Sequence, residues 1–492
     1  MNRELLASPL AWLQRFVPDV DVPPALAYER WWRERGQAIS DAVDRAGTPH
    51  LRMFDELGRR VDEIQFPPDY YEALAQGYRA GVVWRAFEEP FSLLPSFVLG
   101  YITSYFDPGL YCPYTVSLST AVPLYKYSDP EVKGRVLPRM LGRDADTWQG
   151  ATWMTEAGGG SDLGAGVETR AEQQRDLSWR LNGDKHFCSN VGAEVAVVAA
   201  RPVDAPAGVR GLRLFAVPRH RADGTLNYAV RRLKDKIATR SVPTGEVELR
   251  HSEAWLLGQS YRGVYLILEV LNVSRIANSI GSVALAQRAV ADAVAFAGER
   301  VAFGQPIIEH PLLSVQCSDR LAALEAACAL AWEAARTLDR VWLERPPHSD
   351  TYDLFRLLAH LAKYWTAEVA VQTAKWTIEV FGGVGTLGEN RVERWLREAM
   401  ILAIWEGTPH RQMLDGLEAM ETRSAHRLLL EHLRARADAH ELEEWSLRLE
   451  HFLAQDRADR EASIEPLFSD LARFTGRVLA RSVTTRAAAQ PM

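Results

Sequence analysis

Hydrophobic positions follow different rhythms along this chain. Through about residue 150 the spacing is helix-like, as in Tyr70-Tyr71-Glu72-Ala73-Leu74-Ala75. Ser128-Asp129-Pro130-Glu131-Val132-Lys133 adds helix-start chemistry: Asp129 can cap, Pro130 suits a first turn, and Glu131 opposes the helix dipole. From about 151 to 260 short β-branched runs stand between turn residues. Residues 195–200 and 212–217 read as strands, residues 245–249 alternate in period two, and Asn182-Gly183 signals a turn. From about 261 to 420 apolar residues recur at three- and four-residue spacing, at Leu321, Leu324, Cys328, Ala331 and Ala335, and more loosely from Leu358 through Val371. Long amphipathic segments with short connections predict a helix bundle. The remainder, about 421 to 492, is helical too, with apolar faces at Leu428, Leu429, Leu433 and at Leu447, Leu449, Leu453. The expectation is an α+β chain, mainly α: an N-terminal helical domain (1–150), a middle antiparallel β-domain (151–260), a C-terminal helix bundle (261–420) and an extra helical tail (421–492).

Composition narrows the function classes. At 492 residues the chain exceeds one ordinary core. Its 47% hydrophobic and 25% charged residues predict a soluble globular protein. A net charge of −7 does not suit a whole-molecule attraction to polyanions. Cys112, Cys188, Cys317 and Cys328 are widely spaced, so neither a metal site nor a disulfide framework is expected, and a reducing cytoplasm is. No signal peptide is visible, and no apolar window of the roughly 18–20 residues that span a bilayer is expected. The run at residues 264–271 is short and interrupted by Glu269.

Five segments carry candidate chemistry. In Met154-Thr155-Glu156-Ala157-Gly158-Gly159-Gly160-Ser161-Asp162 a strand end runs into three glycines. Glycines let the backbone approach a flat or phosphorylated ligand, and Ser161 can donate to a phosphate oxygen; a flexible turn is the plainer alternative. In Lys185-His186-Phe187-Cys188-Ser189-Asn190, Phe187 and Ser189 share one strand face that could stack on a flavin and bond its edge, or serve as a core Phe beside a solvated Ser. Glu299-Arg300-Val301-Ala302-Phe303-Gly304-Gln305-Pro306 offers a guanidinium fork for pyrophosphate and a ring for adenine, or else a helix end stopped by Gly304. Glu379-Val380-Phe381-Gly382-Gly383-Val384-Gly385 breaks a helical pattern, either for a close backbone approach or for an inter-helix turn. In Ile404-Trp405-Glu406-Gly407-Thr408, Glu406 ends an apolar run. Partial desolvation there would raise its pKa and suit a general base; a surface Glu ending a helix is the alternative.

Taken in this order, the five segments resemble the acyl-CoA dehydrogenase family across about residues 50 to 420. The resemblance implies an N-terminal helical domain, a middle β-domain and a C-terminal four-helix domain, with FAD held between subunits of a homotetramer. By position it implies that Met154, Thr155 and Ser161 contact the flavin ring and pyrophosphate. Phe187 and Ser189 stand where the family carries Trp and Thr beside the isoalloxazine. Arg300 and Phe303 would reach the FAD of a neighbouring subunit. Glu379, Gly382 and Gly383 match a Q-x-F-G-G stretch at that adenine end, with Glu in place of Gln. Thr408 would contact FAD, and Glu406 would remove the α proton of an acyl thioester while the β hydrogen leaves as hydride to flavin N5. Arg275 would stand at the substrate end, and a flavoprotein could accept the electrons.

The AidB-like, alkylation-response branch of the family is the nearest likeness. Leu51-Arg52-Met53-Phe54-Asp55-Glu56-Leu57-Gly58-Arg59-Arg60-Val61-Asp62 carries it, as do Arg232-Leu233-Lys234-Asp235-Lys236, Thr239-Arg240-Ser241 and Ala254-Trp255-Leu256-Leu257-Gly258. Two departures stand out. Asn272-Val273-Ser274-Arg275 replaces an Asp-x-Thr-Arg common at the CoA end, so Arg275 is kept and the acid is lost. The tail balances 11 Arg with 12 Asp and Glu, whereas the AidB tail is understood to be basic and to meet DNA. Three readings follow: an α,β-dehydrogenase of acyl-CoA, an alkylation-response flavoprotein that binds nucleic acid, and a flavin dehydrogenase with a non-CoA substrate.

Overall fold

In the computed structural model, which describes residues 3–258 and 263–489, the chain divides into two compact units. One comprises Arg30–Thr103 and Asp107–Ser274 and carries the main sheet. The other comprises Met1–Glu29, Ser104–Phe106 and the chain from Arg275 onward, and it is almost wholly helical.

The block expected to be helical up to residue 150 contains a hairpin, β1 (His50–Phe54) and β2 (Arg60–Gln65). Its turn is built by Asp55, whose carboxylate accepts the N–H groups of Leu57 and Arg59, both at 2.9 Å. Its base is tied down by the buried Asp62, which accepts the Val230 N–H at 2.8 Å and Arg60 Nε at 2.9 Å.

The seven-stranded sheet consists of β3 (Gly150–Trp153), β4 (Arg170–Gln173), β5 (Trp179–Ser189), β6 (Val195–Pro202), β7 (Arg213–Pro218), β8 (Ala229–Leu233) and β9 (Thr244–Leu257). The order β6-β4-β5-β9-β7 returns to β6, closing a ring, with β3 added beside β6 and β8 beside β9. Closure spares these strands the unpaired edges that invite aggregation. Strand β6 shows why. Val195, Val197 and Ala199 pack with Leu124, Met140, Leu266 and Val270, while Ala196, Val198 and Ala200 pack with Trp153, Leu181 and Phe215. Both faces are buried, so the strand is apolar without alternation.

Two expectations are corrected here. The sheet is mixed rather than antiparallel, because β3 and β4 both run parallel to β6. Parallel partners come from distant segments, which local patterning does not report. Asn182-Gly183 is not a turn but lies inside β5, where the register against β9 slips between Leu181 and Gly183. Gly183 has φ +149°, and a Cβ there would lie 2.6 Å from Thr169 Oγ1, so the glycine serves a bulge and a close approach.

In the helical unit the Asp350–Phe381 helix is central. It packs against the Pro311–Val341, Val392–Ile404, Pro409–Arg423, Ala425–Leu433 and Arg457–Ala489 helices. Ser349 caps its start by accepting the Tyr352 N–H at 3.3 Å, and Gly382 at φ +67° ends it. The Gly263–Glu299 helix does contain an 18-residue window apolar enough to cross a membrane, against the expectation of none, but 78% of that window is buried within the protein. It reads as a core helix. The tail is fastened through the Glu333 carboxylate, which accepts His432 Nε2 and Arg336 Nη2, both at 2.8 Å. Burial alone would raise Glu333, but His432 and Arg336 outweigh it and hold the carboxyl below its ordinary range.

Candidate functional site

Glu406 stands at a corner between two helices. The first, Val392–Ile404, turns Val392, Trp395, Ala399 and Leu402 inward and ends at Ile404. Thr408 then caps the next helix, Pro409–Arg423, its Oγ1 accepting the Arg411 N–H at 3.4 Å. Between them Glu406 (φ +57°) and Gly407 (φ +102°) are both left-handed. For a residue with a Cβ that conformation costs roughly 1–3 kcal/mol and persists only where neighbours enforce it.

Three side-chain donors bond the backbone of this corner. Lys363 Nζ donates to the Ala403 carbonyl at 2.9 Å and the Gly407 carbonyl at 2.6 Å. Gln412 Nε2 donates to the carbonyls of Glu406 and Gly407, both at 3.1 Å. Arg275 Nε donates to the Glu406 carbonyl at 3.2 Å. These are the carbonyls a helix leaves unsatisfied at its C-terminus and just beyond. Trp405 Nε1 donates to Asn278 Oδ1 alongside. The φ of +102° favours glycine at 407, and a Cβ there would lie 2.5 Å from Gln412 Nε2, displacing that amide from its carbonyls.

A further layer orients the donors. His360 Nδ1 lies 2.9 Å from Gln412 Oε1. Because Gln412 Nε2 already faces carbonyls, Oε1 must accept, so His360 carries its proton on Nδ1. Burial and then the Arg275 charge push the His360 pKa down to about 3, so the ring is neutral near pH 7. Asp415 accepts Arg275 Nη2 at 3.1 Å and Arg411 Nε at 2.7 Å.

Burial pushes the Glu406 carboxyl up to about 7, against the pull of Arg275 and Lys363. Burial pushes the Lys363 ammonium down to about 7, against the pull of Glu406. A carboxyl titrating near neutrality is suited to take a proton and release it again.

Of the residues singled out in the sequence, this corner unites Glu406, Thr408 and Arg275. Arg275, expected at the substrate end, is bound within this corner. It is only 4% exposed and spends its guanidinium on Asp415 and the Glu406 carbonyl. Elsewhere in the helical unit, Arg300 and Phe303 lie at a two-stranded hairpin, β10 (Val301–Ala302) and β11 (Gln305–Pro306). Gly304 does not stop the helix, which already ends at Glu299; Phe303 (φ +51°) and Gly304 (φ +88°) form the hairpin turn. Phe303 is 98% exposed. Gly382 and Gly383 follow the end of the Asp350–Phe381 helix rather than interrupting it, and a Cβ on either would meet nothing. Glu379 is exposed and paired with Lys375.

The sheet unit holds the remaining set. Met154 is buried, and the Thr155 carbonyl accepts the His186 N–H at 3.0 Å. Glu156 anchors the glycine loop, its carboxylate accepting Lys185 Nζ at 2.6 Å and Thr169 Oγ1 at 2.6 Å. Beyond it Gly158 and Gly159 face open space and Ser161 is exposed. On β5, Phe187 is 53% exposed while Cys188 is buried, and Ser189 Oγ lies 3.3 Å from Thr244 Oγ1. Lys234 Nζ sits 4.6 Å from the centre of the Phe187 ring.

Lys363, His360, Gln412, Asp415 and Asn278 were not anticipated from the sequence. One signal could have found Lys363: it interrupts the apolar series Leu358, Ala359, Leu361, Ala362, Tyr364 on a helix buried nearly all round.

Comparison with known proteins bears on this arrangement. Residues 261–421 match the C-terminal domain of acyl-CoA dehydrogenases, residues 151–252 their middle domain, and residues 31–147 the N-terminal domain of the adaptive response protein AidB. The chain is 31% identical to acyl-CoA dehydrogenase family member 11 of Caenorhabditis elegans over 402 residues, 78% of this chain and 65% of that protein. It is 30% identical to the Escherichia coli (strain K12) protein AidB over 388 residues, 76% of this chain and 69% of that protein. Among solved structures, Caenorhabditis elegans ACDH-11 in complex with C11-CoA superposes with a TM-score of 0.82 at 25% identity, covering 98% of this chain and 89% of that one. The apo form of Bd2924 gives 0.81 at 28% identity, with 99% and 94% covered.

Proposed function

The chain belongs to the acyl-CoA dehydrogenase family, and on that premise we propose that it is an FAD-dependent dehydrogenase of acyl thioesters in which Glu406 takes the α proton. The observation that carries the reading is the Glu406 carboxyl itself, pushed up to about 7 on a corner held by Lys363, Gln412 and Arg275. A substrate α proton needs a base that is ionised near neutrality yet not locked in an ion pair. Glu406 meets both needs, since Lys363 and Arg275 bond its backbone and its neighbours' backbone, while no bond to its carboxylate is present among the described residues.

The residues present fit the cofactor. Each unit carries an exposed aromatic and glycines that open on free space: Phe187, on the same strand as Ser189, with Gly158 and Gly159 in the sheet unit, and Phe303, three residues after Arg300, with Gly382 and Gly383 in the helical unit. FAD would be held by these residues with Met154, Thr155, Glu379 and Thr408, and it supplies the acceptor for the hydride that leaves the β carbon. The Glu406 N–H has no acceptor among the described residues. It is available to donate to the thioester carbonyl as negative charge develops there. The glycine loop is held against β5 by Glu156 and Lys185, which keeps Ser161 forward for a phosphate.

The nematode relative's complex with C11-CoA supports an acyl-CoA substrate for this chain. Asn272, where many relatives carry an acid, argues for a difference at the CoA end. We place the protein in the cytoplasm as a homotetramer that passes electrons to a flavoprotein. The exposed Phe303, Val301, Leu312 and Val315 lie on one hairpin and the helix that follows it, and a shared apolar face there would favour assembly. The basic run at residues 231–240 gives little support to nucleic-acid binding: Arg231 is paired with Asp184, and Arg232 and Lys234 share Glu246. Anaerobic titration of the flavoprotein with acyl-CoAs of graded length tests the reading, with bleaching of the flavin expected for wild type and lost in Glu406→Gln. Equal bleaching rates in the two proteins would remove Glu406 from the chemistry.

A further inference from the structure

Lys363 has no part in the reaction as described, yet it is 1% exposed on a helix that buries Ala359, His360, Leu361, Ala362, Tyr364 and Trp365 around it. Burying an ammonium among apolar groups is costly unless it is paired and fully bonded. Its bonds go to the carbonyls of Ala403 and Gly407, at 2.9 and 2.6 Å, and these two residues bracket Glu406. One donor therefore spans the last turn of the Val392–Ile404 helix and the left-handed pair that follows. Gln412 and Arg275 each reach the Glu406 carbonyl, but neither reaches back to the helix among the described bonds. Lys363 ties the corner to the helix carrying it through the Ala403 carbonyl.

We propose that Lys363 is a positioning residue for Glu406: its ammonium clamps the carbonyls on either side of the base, holds Glu406 in the left-handed conformation, and couples its own charge to that of the carboxyl. This rests on the reading of Glu406 as the base. The charge coupling is consistent with both groups titrating near 7. The titratable and charged groups around Lys363 are the neutral His360 and Glu368 on its own helix, Arg275 from the Gly263–Glu299 helix, Glu406 itself, and Arg411 and Asp415 from the Pro409–Arg423 helix; Arg356 adds its field to His360 and Arg275. Glu406 and Glu368 favour the ammonium, and Arg275 opposes it. Within this set only Lys363 both bonds the corner and titrates near the working pH of the base.

The test compares Lys363→Met, Lys363→Arg and wild type in the flavin-loaded protein. Lys363→Met deletes both bonds and the charge at nearly the same volume, and Lys363→Arg restores donors and charge. Lys363→Gln, which keeps a polar head in the buried slot, stands in if the Met variant does not fold. Two readouts are taken: the pH profile of single-turnover flavin reduction, and the Glu406 φ angle in crystals of each variant. The expected result for Met or Gln is a reduction rate at least about 100-fold lower, a base limb moved to higher pH by about one unit, and a Glu406 that leaves the left-handed region. Arg recovers all three in part. A slow variant with an unmoved limb marks a merely structural lysine and overturns the proposal, as does a Met or Gln crystal with Glu406 still left-handed. If wild type is reduced by no acyl-CoA, the proposed function falls, and the crystals alone then decide the role of Lys363.

Discussion

The guanidinium of Arg275 binds the backbone carbonyl of Glu406 at 3.2 Å and the carboxylate of Asp415 at 3.1 Å. It therefore joins the Glu406 corner to the first turns of the following helix. Replacing it with Ala would leave Asp415, which is itself largely buried, with Arg411 as its remaining guanidinium partner. Breaking one partner from a buried pair costs about 3–5 kcal/mol. Arg275 also lowers the Glu406 pKa. Arg275→Ala is expected to lower the midpoint of denaturant unfolding and to shift the base limb of the pH–rate profile upward. Unfolding curves and stopped-flow flavin reduction across pH 6–9 would check both. A variant with weaker CoA binding but unchanged stability and limb would return Arg275 to the substrate.

Glu406 has a consequence for stability as well as for rate. Its carboxyl rises from an ordinary 4.5 to about 7 on folding. Between those values the folded protein holds a proton that the unfolded chain has released, so stability falls as pH rises through this window. Glu406→Gln abolishes that penalty. The variant is expected to be indistinguishable from wild type in stability below about pH 4.5, increasingly the more stable of the two toward pH 7, and more stable by a constant margin above it. Its proton-abstraction step should be slowed by about 100- to 10,000-fold. Chemical denaturation at several pH values separates this from a simple packing effect, which would give a pH-independent difference.

The sheet unit supplies an independent test. Lys185 is fully buried, and its ammonium bonds Glu156 at 2.6 Å and the Ala199 carbonyl at 2.8 Å. Glu156→Ala strands that cation and frees the loop that carries Ser161. A stability loss of about 3–5 kcal/mol is expected, together with weaker retention of flavin. Fluorescence titration of the apoprotein with FAD measures the second effect. Unaltered FAD affinity in a folded Glu156→Ala protein would detach the glycine loop from the cofactor.

These residues show which parts of the molecule local patterning can report. The β6 run and the corner at Glu406 were legible because each is contiguous: one apolar strand, and one carboxylate closing an apolar helix before Gly-Thr-Pro. The β1–β2 hairpin was not, because its charged residues pair with one another across the strands, as Arg52 does with Glu63, and most of its positions are exposed or half-buried. No apolar alternation is then required. Gly183 misled for a different reason: its positive φ satisfies a bulge and the approach of Thr169, and the same dipeptide would suit a turn. Lys363 and Gln412 were hidden because a polar residue on a helix reads as solvated until the carbonyls it bonds are seen, and those lie about forty residues away for Lys363 and in the corner before its own helix for Gln412.

Phe303 gives the last prediction. At 98% exposure on a two-residue turn, its ring has almost no surface to lose within its own chain. The hairpin beneath it is secured without the ring, by His310, which lies 3.0 Å from the Ala302 carbonyl and 3.2 Å from Gln305 Nε2. Phe303→Ser should therefore leave the subunit fold intact. If Phe303 covers the FAD of a neighbouring subunit, its loss removes an aromatic contact worth about 0.5–1.5 kcal/mol beyond simple burial, and a tetramer would lose it at every cofactor. The expected outcome is an unchanged far-UV spectrum, a lower flavin-to-protein ratio after gel filtration, and a sedimentation coefficient that falls on dilution at concentrations where wild type stays assembled. Sedimentation and flavin content both equal to wild type would show that the ring serves neither the cofactor nor the assembly.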